Sequence, residues 1–189
     1  MKRCSWANSG NQLLKKYHDQ EWGVPCHNDQ KLFEFLSLGT MQAGLSWQTI
    51  LNKRAALKKA LANFDFEKLQ FFKNRLPQLL ANPAIIRNRR KLLAIIHNAC
   101  LVSKMRHAHQ SLSDYFWQFI DYRPIVHHYK AHDQIPTTNN LARHISHTLK
   151  ADGFQFTGPT IIYSFLQAMG LINDHEISCF RYKALIPDS

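Results

Sequence analysis

Long apolar runs, acidic side chains, strand-like alternation and paired cysteines are all scarce in this sequence. A charge-free stretch, 35–52, contains Gln, Ser, Thr and Asn, and no apolar run reaches the ~18 residues a membrane helix needs. A membrane segment is therefore excluded. The opening "MKRCSWANSG" has no apolar signal-peptide region, which predicts a cytoplasmic protein. Asp and Glu total 13 against 24 Lys and Arg, a net charge of +11, so a polyanion is a natural partner and a generic basic surface the alternative. Only four cysteines occur, at 4, 26, 100 and 179; in a reducing compartment these suit metal binding or burial, not a disulfide framework. "FQFTG" is the only alternating run, and repeats, low-complexity tracts and linkers are absent. With 189 residues, the chain forms one domain or two small lobes.

Helical periodicity fills the rest, and the predicted class is all-α. Leu13, Leu14 and Tyr17 share a face, and Gly23 with Pro25 stops that helix. Asn28 or Asp29 caps the next, with Leu32, Phe33, Leu36 and Met41 inward, until Gly44 breaks it. Ser46 caps a third helix running towards Asn63, Asp65 starts a short one and Pro77 another. A Pro83-marked turn then leads into a long amphipathic helix. Ser113 opens "SDYFWQFI", and residues 122–138 read as a His-rich surface loop. One helix ends at Gly153 and another runs from Pro159 to Gly170. Asn173 or Asp174 is expected to cap a last helix carrying His175 and Cys179.

Three groups of residues bear chemistry. His175 and Cys179, four apart, would share a helix face; with Cys4 and His18 they make a Cys2His2 set able to close a tetrahedral zinc site. Cys26 with His27 is a rival pair. Four ligands make a structural site, whereas a zinc hydrolase needs three and a free position. Trp6, Tyr17, Trp22 and Trp47 lie in the first quarter of the chain. They are either core residues or, beside an uncharged element broken by Gly39 and Gly44, stacking faces for a flat base. "NPAIIRNRRKL" places Arg87, Arg89, Arg90 and Lys91 at a helix start after a tight turn, the logic of a phosphate contact; a solvated face is the alternative.

"RCSW" at 3–6, "YHDQEWGVP" at 17–25, "QAGLSW" at 42–47, "IIRNRRK" at 85–91, "YSFLQAMGLINDH" at 163–175 and Cys179 together resemble the DNA-3-methyladenine glycosylase I family of the helix-hairpin-helix glycosylase superfamily. The resemblance spans Arg3 to Cys179 in unbroken order. It implies an all-α fold with a helix-hairpin-helix lobe, about 36–121, and a second lobe, about 1–35 plus 122–189, stapled by structural Zn2+. It puts the zinc ligands at Cys4, His18, His175 and Cys179. Tyr17 becomes the base-recognising residue, with Trp6, Trp22, Gly39 and Trp47 in the pocket. Gly44 and Leu45 approach the gap left by a flipped nucleotide, Leu45 as the wedge, and Ile86, Arg87, Arg89 and Lys91 contact DNA.

The implied activity is excision of 3-methyladenine from alkylated double-stranded DNA by a monomeric, monofunctional enzyme, since no lysine stands in the pocket motifs as a Schiff-base nucleophile. One departure matters. The family has "LEG" where this chain has Leu38, Gly39 and Thr40, so its base-contacting glutamate is replaced by Gly39. Glu34 is no substitute, and Leu14 stands nearest a second pocket tyrosine of the family. The alternative is a non-catalytic homologue that binds DNA lesions.

Overall fold

The computed structural model describes residues 1–8 and 11–186. In chain order the helices are α1 (Ser5–Asn8), α2 (Gln12–Gln20), α3 (Asp29–Gln42), α4 (Trp47–Ala60), α5 (Phe66–Leu69), α6 (Leu76–Ala81), α7 (Arg89–His107), α8 (Leu112–Trp117), α9 (Asn140–Ala151), α10 (Pro159–Ala168) and α11 (Phe180–Ala184). Polar residues start most of them. Asn11, Asn28, Ser46, Asp65, Asn88, Ser111 and Asn139 each accept a backbone N–H with the side chain, satisfying donors that a helix start leaves unpaired. Pro159 enters the first turn of α10, where its missing N–H costs nothing.

The core forms around α3, whose Leu32, Phe33, Leu36, Leu38 and Met41 are all but inaccessible to solvent. It packs against α4, α7, α8 and α10. Truncating such a leucine to alanine typically costs ~2–5 kcal/mol. α6 and α7 are joined by a hairpin whose turn Asn82 braces, its side chain accepting the Ala84 N–H at 3.0 Å. Lys53 on α4 ties down the far side, its ammonium donating to the carbonyls of Pro83 (3.4 Å) and Ala84 (3.0 Å). These contacts hold a hairpin that lacks glycine.

Two expectations need correction. The helix expected to open at Ser113 is capped at Ser111. The alternating run "FQFTG" forms no strand, and the described strands are β1 (Ile125–Val126) and β2 (Ile172–Asn173), paired in parallel. Asn173 and Asp174 cap no helix. Asn173 is in β2, residues 174–179 turn, and Cys179 itself caps α11, its Sγ accepting the Arg181 N–H at 3.4 Å. His175 and Cys179 therefore meet through a turn and not along a helix face. The β1–β2 ladder pins the 122–138 segment against the chain after α10.

Candidate functional site

Cys4 precedes α1, His18 lies in the last turn of α2, and Phe180 N–H donates to the Lys2 carbonyl at 2.9 Å, bringing the two chain ends together. His175 and Cys179 arrive on the turn after β2. The four ligand atoms lie within 4.8 Å of one another and all four residues are buried, a cluster that could hold a metal ion. Cys4 Sγ is 3.4 Å from His175 Nδ1, and Cys179 Sγ is 3.4 Å from His18 Nε2. The outer ring nitrogens are oriented as metal-bound histidines require. His18 Nδ1 donates to Asp19 at 2.8 Å, Arg3 grips that carboxylate with two nitrogens, and His175 Nε2 donates to the Trp22 carbonyl at 3.1 Å. The Cys179 thiol is driven down by the hydrogen bond from Cys4, with His175 and His18 adding to the effect against burial. The Cys4 thiol is raised by that same bond and by burial. Gly23 passes beside the cluster at φ +80°, where a Cβ would lie 2.9 Å from His175 Nε2, so a side chain has no room. Cys26 and His27 lie outside it; the His27 ring stacks on Trp117.

Aromatic rings lead from the cluster into a cavity of about 290 Å³. Trp22 meets His175 edge-on at 4.4 Å between centroids, Trp6 meets Trp22 at 5.0 Å and His18 at 5.2 Å. Trp6, Tyr17, Trp22, Phe35 and Trp47 all line the cavity, and Tyr17 stacks on Phe35 and tilts against Trp47 at 5.2 Å. Tyr17 is 4% exposed, and its hydroxyl has no hydrogen-bond partner among the described residues. Burial, with Glu21 nearby, pushes its phenol far above the ordinary tyrosine range, so it stays protonated and free to donate. The buried indole N–H of Trp47 likewise finds no acceptor among the described residues.

Gly39 lines the cavity from within α3, and among the described residues no carboxylate lines it. Glu34 is turned away: its Oε1 accepts from Arg54 Nε at 2.7 Å, and its Oε2 pairs with Lys58 at 3.1 Å. Arg54 also clasps Glu21 and lies 5.0 Å over the Phe35 ring, backing the pocket wall with charge. Burial raises Glu21, but the bonds from Arg54 and Lys31 outweigh it and bring its pKa down to about 2. Leu14 is half-buried against the core and does not line the cavity.

Several lining residues escaped the sequence reading. α10 contributes Thr160, Ile161, Tyr163, Ser164 and Gln167, and the 122–138 segment contributes His132, Ile135, Pro136 and Thr137. The signal existed in part, since Thr160, Ser164 and Gln167 form a polar stripe at i, i+4, i+7 on an otherwise apolar helix.

The turn after α3 exposes Gly44, at φ +76°, and Leu45, which is 41% exposed. Arg87, Arg89 and Arg90 are exposed around the start of α7, while Ile86 is half-buried. Lys91 is not with them. It is 6% exposed and points inward, its ammonium donating to the carbonyls of Met41 (2.7 Å) and Ala43 (2.5 Å). The expected phosphate contact is thus replaced by a cap on the C-terminus of α3, where unpaired carbonyls attract a cation.

An uncharged slot between aromatic faces, beside an arginine-studded helix–hairpin–helix, is what a protein handling single nucleobases requires, and the fold is of that class. The chain belongs to the methyladenine glycosylase family, whose model matches residues 6–182. It is 40% identical to DNA-3-methyladenine glycosylase 1 of Escherichia coli (strain K12) over 183 residues, 96% of this chain and 97% of that one. It also resembles a crystal structure of 3-methyladenine DNA glycosylase I, with a TM-score of 0.92 and 41% identity over 95% of this chain and 98% of the other. A point variant of 3-methyladenine DNA glycosylase I in complex with 3-methyladenine matches with a TM-score of 0.91 at 32% identity, covering 96% and 98% of the two chains.

Proposed function

We propose that this protein is a monofunctional DNA N-glycosylase that removes 3-methyladenine from alkylated double-stranded DNA. The observation that carries the reading is the buried aromatic slot, at whose wall the Tyr17 hydroxyl has no partner among the described residues. Methylation at N3 leaves the base cationic, so it departs neutral, taking the electron pair of the bond between N9 and the sugar carbon. Water adds to that carbon and releases a proton, leaving an abasic sugar. Such a leaving group needs no strong acid, and the pocket provides none. Flipping costs a few kcal/mol, less for a damaged base. Stacking returns ~1–3 kcal/mol, and cation–π attraction adds ~0.5–2 kcal/mol for a charged ring. Tyr17 and the Trp47 N–H address the edge of the ring. No lysine lines the cavity among the described residues, in keeping with hydrolysis without lyase chemistry.

The metal is zinc in a structural role. Ordinary Zn–S and Zn–N bonds at a tetrahedral angle put S and N roughly 3.6 Å apart. The separations of 3.4–3.5 Å fit. Bound there, zinc joins the two chain ends and steadies Trp6 and Trp22, and all four positions are taken by protein. The two lobes are the helix-hairpin-helix half, about 36–121, and the zinc half. The protein acts as a monomer, in the cytoplasm, where the DNA is held.

Leu45 fills the gap left by the flipped nucleotide, with Gly44 allowing close approach, while Ile86, Arg87 and Arg89 grip the backbone. Replacing Arg87 and Arg89 together with Ala is expected to weaken binding uniformly across sequences and to reduce the slope of log K against log salt by about one per lost phosphate contact. Unchanged salt dependence would move the interface elsewhere.

A second reading, a lesion-binding homologue without excision, is favoured by the absence of a carboxylate from the pocket lining among the described residues. Incubation with methylated duplex DNA and identification of the released base separates the two: free 3-methyladenine supports the enzyme, and tight binding without release supports the homologue.

A further inference from the structure

We propose that Lys91 is a positioning residue for the insertion turn, fixing Gln42–Ser46 so that Leu45 enters the duplex in register with the pocket. The proposal rests on the reading of Leu45 as the wedge. Lys91 carries a charge into the interior and makes no ion pair among the described residues, a costly arrangement if packing were its only purpose. Its ammonium is spent on two carbonyls where α3 passes into the turn, that of Met41 in the last turn of the helix and that of Ala43 in the turn itself. The far end of the turn is anchored by Ser46, whose side chain accepts the Thr49 N–H at 3.1 Å as the cap of α4, so Lys91 holds the end that leaves α3. Inside the turn, Leu45 N–H donates to the Gln42 carbonyl at 2.6 Å, and a Cβ at Gly44 would meet nothing within 4 Å. Lys91 also sits in the first turn of α7, next to the exposed Arg89 and Arg90. One helix start therefore faces the DNA backbone with its arginines and holds the wedge with its lysine, so docking and insertion share a rigid element.

The test uses the full-length, metal-loaded protein with Lys91→Met, and with Lys91→Gln, which keeps a donor and serves if the methionine variant fails to fold. Four readouts are taken: affinity and salt slope on unmodified duplex, single-turnover base release from methylated duplex, release from methylated single-stranded DNA, and fluorescence of 2-aminopurine placed beside the lesion. The expected result is an unchanged salt slope, because the ammonium reaches no phosphate. Release from duplex falls at least about tenfold in Lys91→Met, as misplacement of about an ångström commonly does, and falls less in Lys91→Gln. Release from single strands, where no stack must be opened, stays near wild type. Leu45→Ala adds little on top of Lys91→Met, since groups acting as one unit are not additive. A salt slope reduced by about one unit, or equal losses on duplex and single strand, overturns the proposal. If wild type unstacks 2-aminopurine without releasing base, the enzymatic reading fails alone. The positioning role then stands or falls on whether Lys91→Met abolishes that signal.

Discussion

Cys179→Ser is expected to empty the Cys4–His18–His175–Cys179 cluster and to destabilise the fold with it. Metal affinity and folding are one equilibrium when the ligands come together only in the folded chain. Here they come from both ends, so the site closes a loop from Cys4 to Cys179 whose entropy the unfolded chain otherwise keeps. Removing one partner from a buried charged set costs on the order of 3 kcal/mol, or roughly 6–12 °C in unfolding midpoint for a chain of this size. Base release should fall too, because Trp6 and Trp22 lean on His18 and His175. Metal analysis and thermal unfolding check this; full metal content with an unchanged midpoint contradicts it.

Gly39→Glu is expected to raise excision of 3-methyladenine. A carboxylate there supplies a charge-assisted contact to a cationic ring, worth ~1.5–3 kcal/mol, which is roughly ten- to 150-fold in affinity or rate. The backbone at Gly39 is helical, so replacing glycine also gains up to ~1 kcal/mol of helix stability. Thr40 does not crowd the new side chain, since its hydroxyl turns back to the Leu36 carbonyl at 3.2 Å. The obstacle is Ile161, whose Cγ2 would lie 3.1 Å from the new Cβ and must give by a few tenths of an ångström. Single-turnover release by wild type and variant on the same methylated DNA decides the matter. A slower variant would mean that another group has taken over the contact.

Several helix starts were legible because Asn28, Ser46 and Asp65 stand directly before periodic apolar runs, while the caps at Asn11, Asn88, Ser111 and Asn139 were not read. The aromatic wall was legible in the charge-free stretch 35–52 that holds Trp47 and in the clustering of Trp6, Tyr17 and Trp22 in the first quarter of the chain. The metal set was legible through the resemblance and only partly through spacing. The i, i+4 reading of His175 and Cys179 failed because Asn173 pairs with Val126, a two-residue ladder too short to leave an alternating pattern. Lys91 was misread by its charge, although its position argued otherwise. It falls on one face with Ile95, Asn98 and Val102, all buried, at i, i+4, i+7 and i+11. The His132–Thr137 wall was beyond local reading, because its placement depends on the β1–β2 ladder between distant segments.

The most direct measurement is single-turnover release of free base from methylated duplex DNA by the wild-type protein and Tyr17→Phe. The wild type should release 3-methyladenine measurably faster than spontaneous loss, and Tyr17→Phe should reduce that rate while leaving DNA affinity unchanged. Release by both at the spontaneous rate, with DNA still bound, would contradict excision by this pocket.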